Sequence, residues 1–218
     1  MEKFECWLPT WDELHQYIKE IVKKIKKDNF HPDIVIALSR GGFVPARVIC
    51  DLLIIKDLIS VKVDHWGVTA TKDGKAHLRY PIDVNLTGKR VLIVDDITDS
   101  GESMIVAKEF VQKLKPKEIK TATIFNIKHS KFVPDYYGKE IDWVWVMWPW
   151  NYTEDMCNIV PKVLDEKKEY SIKEIREFLK ERFNIEASEE HLLEIIGELV
   201  ARNIAKENGK GWVKKKTD

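Results

Sequence analysis

Val91-Leu92-Ile93-Val94-Asp95-Asp96-Ile97-Thr98-Asp99-Ser100-Gly101-Glu102-Ser103 is the stretch on which the reading of this 218-residue chain turns. Four consecutive apolar residues predict a strand covered on both faces, as in a parallel sheet. Two adjacent carboxylates then arrive at the strand's end, and Ser100-Gly101 opens a helix expected to run to about Leu114. A helix N-terminus presents backbone N–H groups and a positive dipole, so Ser100, Gly101 and Ser103 form a cradle for a phosphate monoester. Asp95 and Asp96 suit a different task, hydrogen-bonding a sugar diol or holding a Mg²⁺ that itself holds pyrophosphate. Taken singly, Asp99 or Ser100 reads equally well as an ordinary helix cap.

Working outward, Asp33 to Leu38 is a second buried-strand pattern, ending at Ser39-Arg40-Gly41-Gly42 before a helix from Val44 to Leu53. Two glycines let backbone N–H groups approach an anion closely, and Arg40 adds a fork of donors matched to a phosphoryl group. Residues 11–27 form an amphipathic helix with Leu14, Ile18, Ile21, Val22 and Ile25 inward. Ile59–Val63, Ile119–Phe125 and Trp143–Met147 complete five strands alternating with helices. The fold expected is α/β, an open, mostly parallel five-stranded sheet with flanking helices and ligands at the C-terminal strand ends. Period-2 spacing would put Trp143, Trp145 and Met147 on one face. The polar stretch 66–80 reads as a hairpin or a mobile loop, with Lys72-Asp73-Gly74-Lys75 at its centre.

Past Pro161 the aromatic-rich core gives way to the charged run 164–169, so two domains are expected, 1–165 and 166–218. Ser171 with Glu174 makes a capping box, Ser188 starts a second helix, and Asn208-Gly209-Lys210-Gly211 marks a hairpin tip. Helix, helix, hairpin is the outline of a small winged-helix-like domain.

Composition removes several classes. Lys+Arg and Asp+Glu are 36 each, so there is no global pull toward nucleic acid or anionic lipid. No apolar run reaches the roughly 20 residues of a membrane helix. The N-terminus lacks an apolar signal-peptide core, and a cytoplasmic protein is expected. Cys6, Cys50 and Cys157 have neither disulfide-framework nor zinc spacing, and the histidines have no metal spacing.

The opening motif resembles the signature of the type I phosphoribosyltransferases: four apolar residues, two acidic, two variable, then Asp-Thr-Gly-x-Thr, with Ser100 and Ser103 here where Thr is usual. The resemblance covers about residues 1–160. It implies phosphoribosyl pyrophosphate (PRPP) and a purine base as ligands and Mg²⁺ as cofactor. Asp95 and Asp96 would contact the ribose hydroxyls and the metal. The loop of Thr98, Asp99, Ser100, Gly101, Glu102 and Ser103 would grip the 5′-phosphate, and Asp99 would carry a proton at the purine N7. Ser39-Arg40-Gly41-Gly42 is similar to the pyrophosphate loop of the xanthine-guanine members, which implies a cis peptide before Arg40, a rarity outside proline. Pro149-Trp150 aligned on that subfamily makes Trp145 the base-stacking residue and Val146 the carbonyl acceptor for a 2-amino group, unless the register shifts by one. Lys128, with Lys131 as the alternative, would read a 6-oxo group. Residues 66–80 match the family's lid, with Thr69, Thr71, Lys72, Lys75, His77 and Arg79 as donors.

The implied activity is salvage of a 6-oxopurine, and a homodimer is expected. A regulator sensing PRPP through the same fold is the rival reading. The tail argues against it, because 166–218 carries twelve residues of each charge and its second helix carries Glu189, Glu190, Glu194 and Glu198.

Overall fold

The structure, a computed structural model, describes residues 4–65, 76–164, 168–209 and 211–215. The chain divides into two compact units, one of residues 11–143 and one that joins 1–10 to 144–218. In chain order the elements are β1 (Cys6–Trp7), α1 (Trp11–Lys27), β2 (Ile34–Ser39), α2 (Phe43–Leu53), β3 (Leu58–His65), β4 (Ala76–Tyr80), β5 (Arg90–Thr98), α3 (Glu102–Lys113), β6 (Glu118–Ile127) and β7 (Tyr136–Ile141). They continue with β8 (Trp145–Val146), α4 (Tyr152–Ile159), α5 (Ile172–Phe183), α6 (Glu189–Ala201), β9 (Ala205–Asn208) and β10 (Gly211–Lys214).

Residues 11–143 build the sheet, in the order β4-β3-β2-β5-β6-β7. Five strands are parallel and β4 is antiparallel at one edge. Alternation along β2 and β5 turns Ile34, Ile36, Leu38, Val91 and Ile93 toward Met104, Ala107 and Val111 of α3. Val35, Ala37, Leu92 and Val94, also buried, take the other face, where α2 packs. α1 buries the five residues expected of it, and its last turn is basic, as the helix dipole favours.

The base of the sheet is tied by charge. The Asp33 carboxylate accepts from the Arg90 backbone N–H at 2.7 Å, from Nε at 3.3 Å and from Nη2 at 3.1 Å, clamping the start of β5 beside β2. These bonds, the guanidinium's first, hold the Asp33 carboxyl below the usual carboxylate range.

The sheet has six strands where five were expected, because residues 76–80 add the antiparallel edge strand β4, and one of the five is misplaced. The fifth parallel strand is β7, not Trp143–Met147; Gly138 lets β7 lie against α1, since a Cβ there would stand 2.8 Å from both Tyr17 Cβ and the Ile124 carbonyl. Trp145–Val146 pairs instead with Cys6–Trp7. The shared tryptophan face is lost as well, with Trp143 and Trp145 exposed and Met147 buried, because the paired segment is two residues long and the chain around it is irregular.

In the second unit, Cys6, Met147, Met156 and Ile159 share an apolar cluster with Ile175, Leu179, Phe183, Leu192, Ile196 and Leu199. The compact division thus falls between Trp143 and Val144, ahead of the charged run where the sequence placed a domain boundary. The Ser171 and Glu174 capping box is formed, Ser188 caps α6, and β9 and β10 pair antiparallel. Tyr170 bridges Trp212, adding a third edge to that hairpin. Among the described residues no helix is long and apolar enough to cross a membrane.

Candidate active site

β2 leads through α2 to β3 on one side, and β5 leads through α3 to β6 on the other. The winding direction therefore reverses between β2 and β5, and their C-terminal ends open a crevice of the kind where α/β sheets bind ligands. Both anion motifs fall at that crevice. The Gly-rich turn follows β2, while Asp95 and Asp96 end β5 ahead of α3.

The motifs touch. A Cβ on Gly41 would lie 2.1 Å from Asp96 Oδ2, and one on Gly42 would lie 2.4 Å from the Val94 carbonyl oxygen. Only glycine lets the turn backbone run against β5 and its carboxylate. The Ser39–Arg40 peptide is cis, as the resemblance implied, and Arg40 is exposed beyond it.

Asp95 Oδ1 accepts from the Asp96 backbone N–H at 2.9 Å. Burial, and then the neighbouring Asp96 charge, push the Asp95 carboxyl well above its ordinary range. Two adjacent hard carboxylates, the Asp95 one raised chiefly by burial, form a donor set that a divalent cation would relieve, and Mg²⁺ fits it. Among the described residues no cluster of three or more His, Cys, Asp or Glu offers a complete metal cage.

Beyond the pair, Gly101 takes φ of 83° and forms the N-cap of α3. A Cβ there would meet Phe132 Cβ at 2.5 Å and Ser130 Oγ at 2.9 Å. The Lys131 N–H donates to the Ser100 carbonyl at 3.2 Å, so the segment after β6 buttresses the loop that leads into α3. Ser100 Oγ accepts from the Glu102 N–H, and Asp99 and Ser100 are exposed. Thr98 behaves differently from its neighbours: its buried hydroxyl donates to Asn126 Oδ1 at 2.8 Å, leaving only its backbone for a ligand. Asn126 was missed as part of this arrangement. Its signal is a polar residue inside the apolar run Ile124-Phe125-Asn126-Ile127.

On the base side the placements are more dispersed. Lys128 Nζ is paired with both oxygens of Asp142, at 2.9 and 2.7 Å, a partner that nothing in the sequence singled out. Those bonds raise the Lys128 pKa and lower that of Asp142. Lys131 pairs with Glu102 at 3.8 Å. Of the expected lid, residues 66–75 lie outside the described residues; 76–80 form the edge strand β4, where Arg79 is paired with Asp64 at 2.9 Å. In the second unit Trp148 and Trp150 stack on each other with centroids 4.9 Å apart, Val146 is buried and Trp145 is 40% exposed.

A parallel α/β sheet with a glycine-lined anion turn, a carboxylate pair and a helix N-terminus at its switch point defines a class of protein that binds phosphorylated sugars or nucleotides. Residues 10–155 match the model of the phosphoribosyl transferase domain, and the chain belongs to that family. It is similar to a xanthine-guanine phosphoribosyltransferase of Idiomarina loihiensis, 28% identical over 65% of this chain and 84% of the relative. A hypoxanthine-guanine phosphoribosyltransferase of Aquifex aeolicus is 27% identical over 60% of this chain and 76% of its own length. Among solved structures, a purine phosphoribosyltransferase from Pyrococcus horikoshii superposes with a TM-score of 0.59 at 32% identity, covering 67% of this chain and 93% of that one.

Proposed function

We propose that this protein transfers the 5-phosphoribosyl group of phosphoribosyl pyrophosphate to a 6-oxopurine, releasing pyrophosphate. The observation that carries the reading is the contact of the Gly41 backbone with the Asp96 carboxylate, because it joins the pyrophosphate turn to the ribose and metal carboxylates in one crevice. The names of the relatives, xanthine-guanine, hypoxanthine-guanine and purine phosphoribosyltransferases, support the base class.

Arg40 and the N–H groups of Gly41 and Gly42 hold the pyrophosphate, while Ser100 to Ser103 receive the 5′-phosphate at the start of α3. Asp95 and Asp96 bind the ribose diol and would hold Mg²⁺, which when bound supplies charge neutralisation at the leaving pyrophosphate. The same carboxylates lie where positive charge grows on the ribose, an electrostatic contribution set in place before reaction. Asp99 accepts the purine N7 proton as general base. Lys128 reads the 6-oxo group in exchange with Asp142, and Trp145 and Val146, assigned by resemblance, stack on the base and accept from its 2-amino group. Residues 1–165 form the functional phosphoribosyltransferase domain, 166–218 a winged-helix-like appendage, and the protein works in the cytoplasm as a homodimer. Exposed Glu189, Glu190 and Glu194 on α6 make the appendage unsuited to DNA phosphates.

The test is turnover with PRPP, Mg²⁺ and each of guanine, hypoxanthine, xanthine and adenine, beside Asp99→Asn. Turnover of 6-oxopurines over adenine, with kcat lowered roughly 10²–10⁴-fold in the variant, is expected for loss of a general base. Binding of PRPP without turnover of any base would overturn the reading.

A further inference from the structure

Asn126 interrupts the buried run of Ile124, Phe125 and Ile127, and it is itself 1% exposed. An amide placed there costs free energy unless it finds partners, and strand register supplies them. Thr98 faces Asn126 across β5 and β6, and Asn126 faces Glu140 across β6 and β7. The buried Thr98 Oγ1 donates to Asn126 Oδ1 at 2.8 Å, while Asn126 Nδ2 reaches toward Glu140 Oε2 at 3.5 Å. A carboxylate only accepts, so it draws the amino end of the amide and leaves the carbonyl end for the Thr98 hydroxyl. Two apolar side chains of similar shape would fill the same space without a polar group to satisfy, so burial alone does not account for the pair.

Its place in the sheet gives it a task. Thr98 is the last residue of β5 and the last to face a partner in β6. Beyond it Asp99, Ser100 and Gly101 leave the sheet and lead into α3. The hydroxyl bond adds a directional tie at the point where the ladder ends. A second tie follows, from the Lys131 N–H to the Ser100 carbonyl at 3.2 Å. Lys128, between these two contacts, is held separately from β7, its N–H donating to the Ile141 carbonyl at 3.1 Å and its Nζ to Asp142.

We propose that Asn126 is a positioning residue that, through Thr98, sets how the Asp99–Ser103 loop leaves the sheet and so how it fits the 5′-phosphate of PRPP. The proposal rests on the phosphoribosyl-transfer reading above. Wild-type turnover with PRPP, inhibited competitively by ribose 5-phosphate, tests that reading by itself.

In the full-length protein, steady-state kinetics and thermal unfolding of Asn126→Leu, Thr98→Val, Thr98→Ser and the Thr98→Val/Asn126→Leu double variant separate positioning from simple support. Asn126→Leu and Thr98→Val each remove the bond and leave one buried polar group alone. Each is expected to lower Tm and to raise KM for PRPP about 3–10-fold, the factor of one net hydrogen bond. The KM for the base should stay within about twofold, since β7 holds Lys128. Thr98→Ser keeps the hydroxyl and should recover most of the loss seen in Thr98→Val. In the double variant both unpaired groups are gone, so Tm should return close to that of wild type. The KM for PRPP should nonetheless stay at the level of the singles, because two apolar side chains pack without a directional tie. Recovery of the PRPP KM together with Tm would show that the pair only supports the fold, and would overturn the positioning role. So would a PRPP KM unchanged in both singles, single losses that multiply in the double variant, or a Thr98→Ser variant as impaired as Thr98→Val. Absence of PRPP turnover in the wild type would instead remove the phosphoribosyl-transfer reading, and this proposal with it.

Discussion

The two ends of β5 treat charge in opposite ways. At its start Arg90 meets Asp33 in a three-bond clamp that satisfies both groups and draws the carboxyl's pKa down. At its end Asp95 and Asp96 stand side by side, with the Asp95 pKa driven up by burial and by its neighbour. One strand thus carries an oppositely charged pair at its start and two adjacent like-charged carboxyls at its end, beside the glycine turn. Like charges held side by side cost stability and cluster at functional sites, and the contrast separates the end that braces the sheet from the end that faces the crevice.

The comparison can be broken most forcefully at the upper end. Asp96→Asn, or Gly41→Ala, which would force a methyl into the Asp96 carboxylate, is expected to lower kcat/KM at least about 10²-fold. Asp95→Asn should lose activity similarly yet raise the metal-free protein's stability by about 1 kcal/mol in urea titration, since it removes a repelled, buried charge while keeping the acceptor for the Asp96 N–H. A stability loss with Asp95→Asn would contradict this account of the pair.

At the lower end the effects should reverse. Asp33→Ala is expected to cost about 1–3 kcal/mol of stability, as it leaves Arg90 without its acceptors, with kcat/KM within about threefold of wild type. The pH dependence follows from the lowered carboxyl. Because its folded pKa lies below the unfolded value near 3.9, the unfolded chain takes up the proton first as pH falls. The stability advantage of wild type over Asp33→Asn should therefore be full above about pH 5 and shrink as pH falls through the folded pKa, as read by urea midpoints at stepped pH. The smallest effect belongs to an exposed pair away from both ends, Lys23 with Glu20 on α1, where Glu20→Gln should change stability by no more than about 0.5 kcal/mol.

How far the sequence could be read follows the same local logic. The run Val91–Ser103 specifies strand, turn and helix through its own residues, and the structure follows it to the Gly101 cap. Ser171 with Glu174 and Ser188 likewise act within one helical turn and form as expected. The base side resisted. β7 carries Gly138, Lys139 and Glu140 in place of an apolar run, because as an edge strand it is covered less fully, so its pattern is weak. The tryptophan segment looked like a strand by alternation, but its pairing with Cys6–Trp7 depends on a distant stretch that alternation cannot anticipate. Asp142 on Lys128 and Asn126 behind Thr98 are likewise partners brought together by strand register.

The sequence by itself determined the alternation of strand and helix, the glycine turn, the carboxylate pair and the helix that follows it, since each depends on backbone preference and burial within a few consecutive residues. Only the tertiary structure decided that β2 and β5 are neighbours, that Gly41 lies against Asp96, and which side chains hold Lys128 and Thr98. Those contacts join residues far apart in the chain, and strand order and close packing set them.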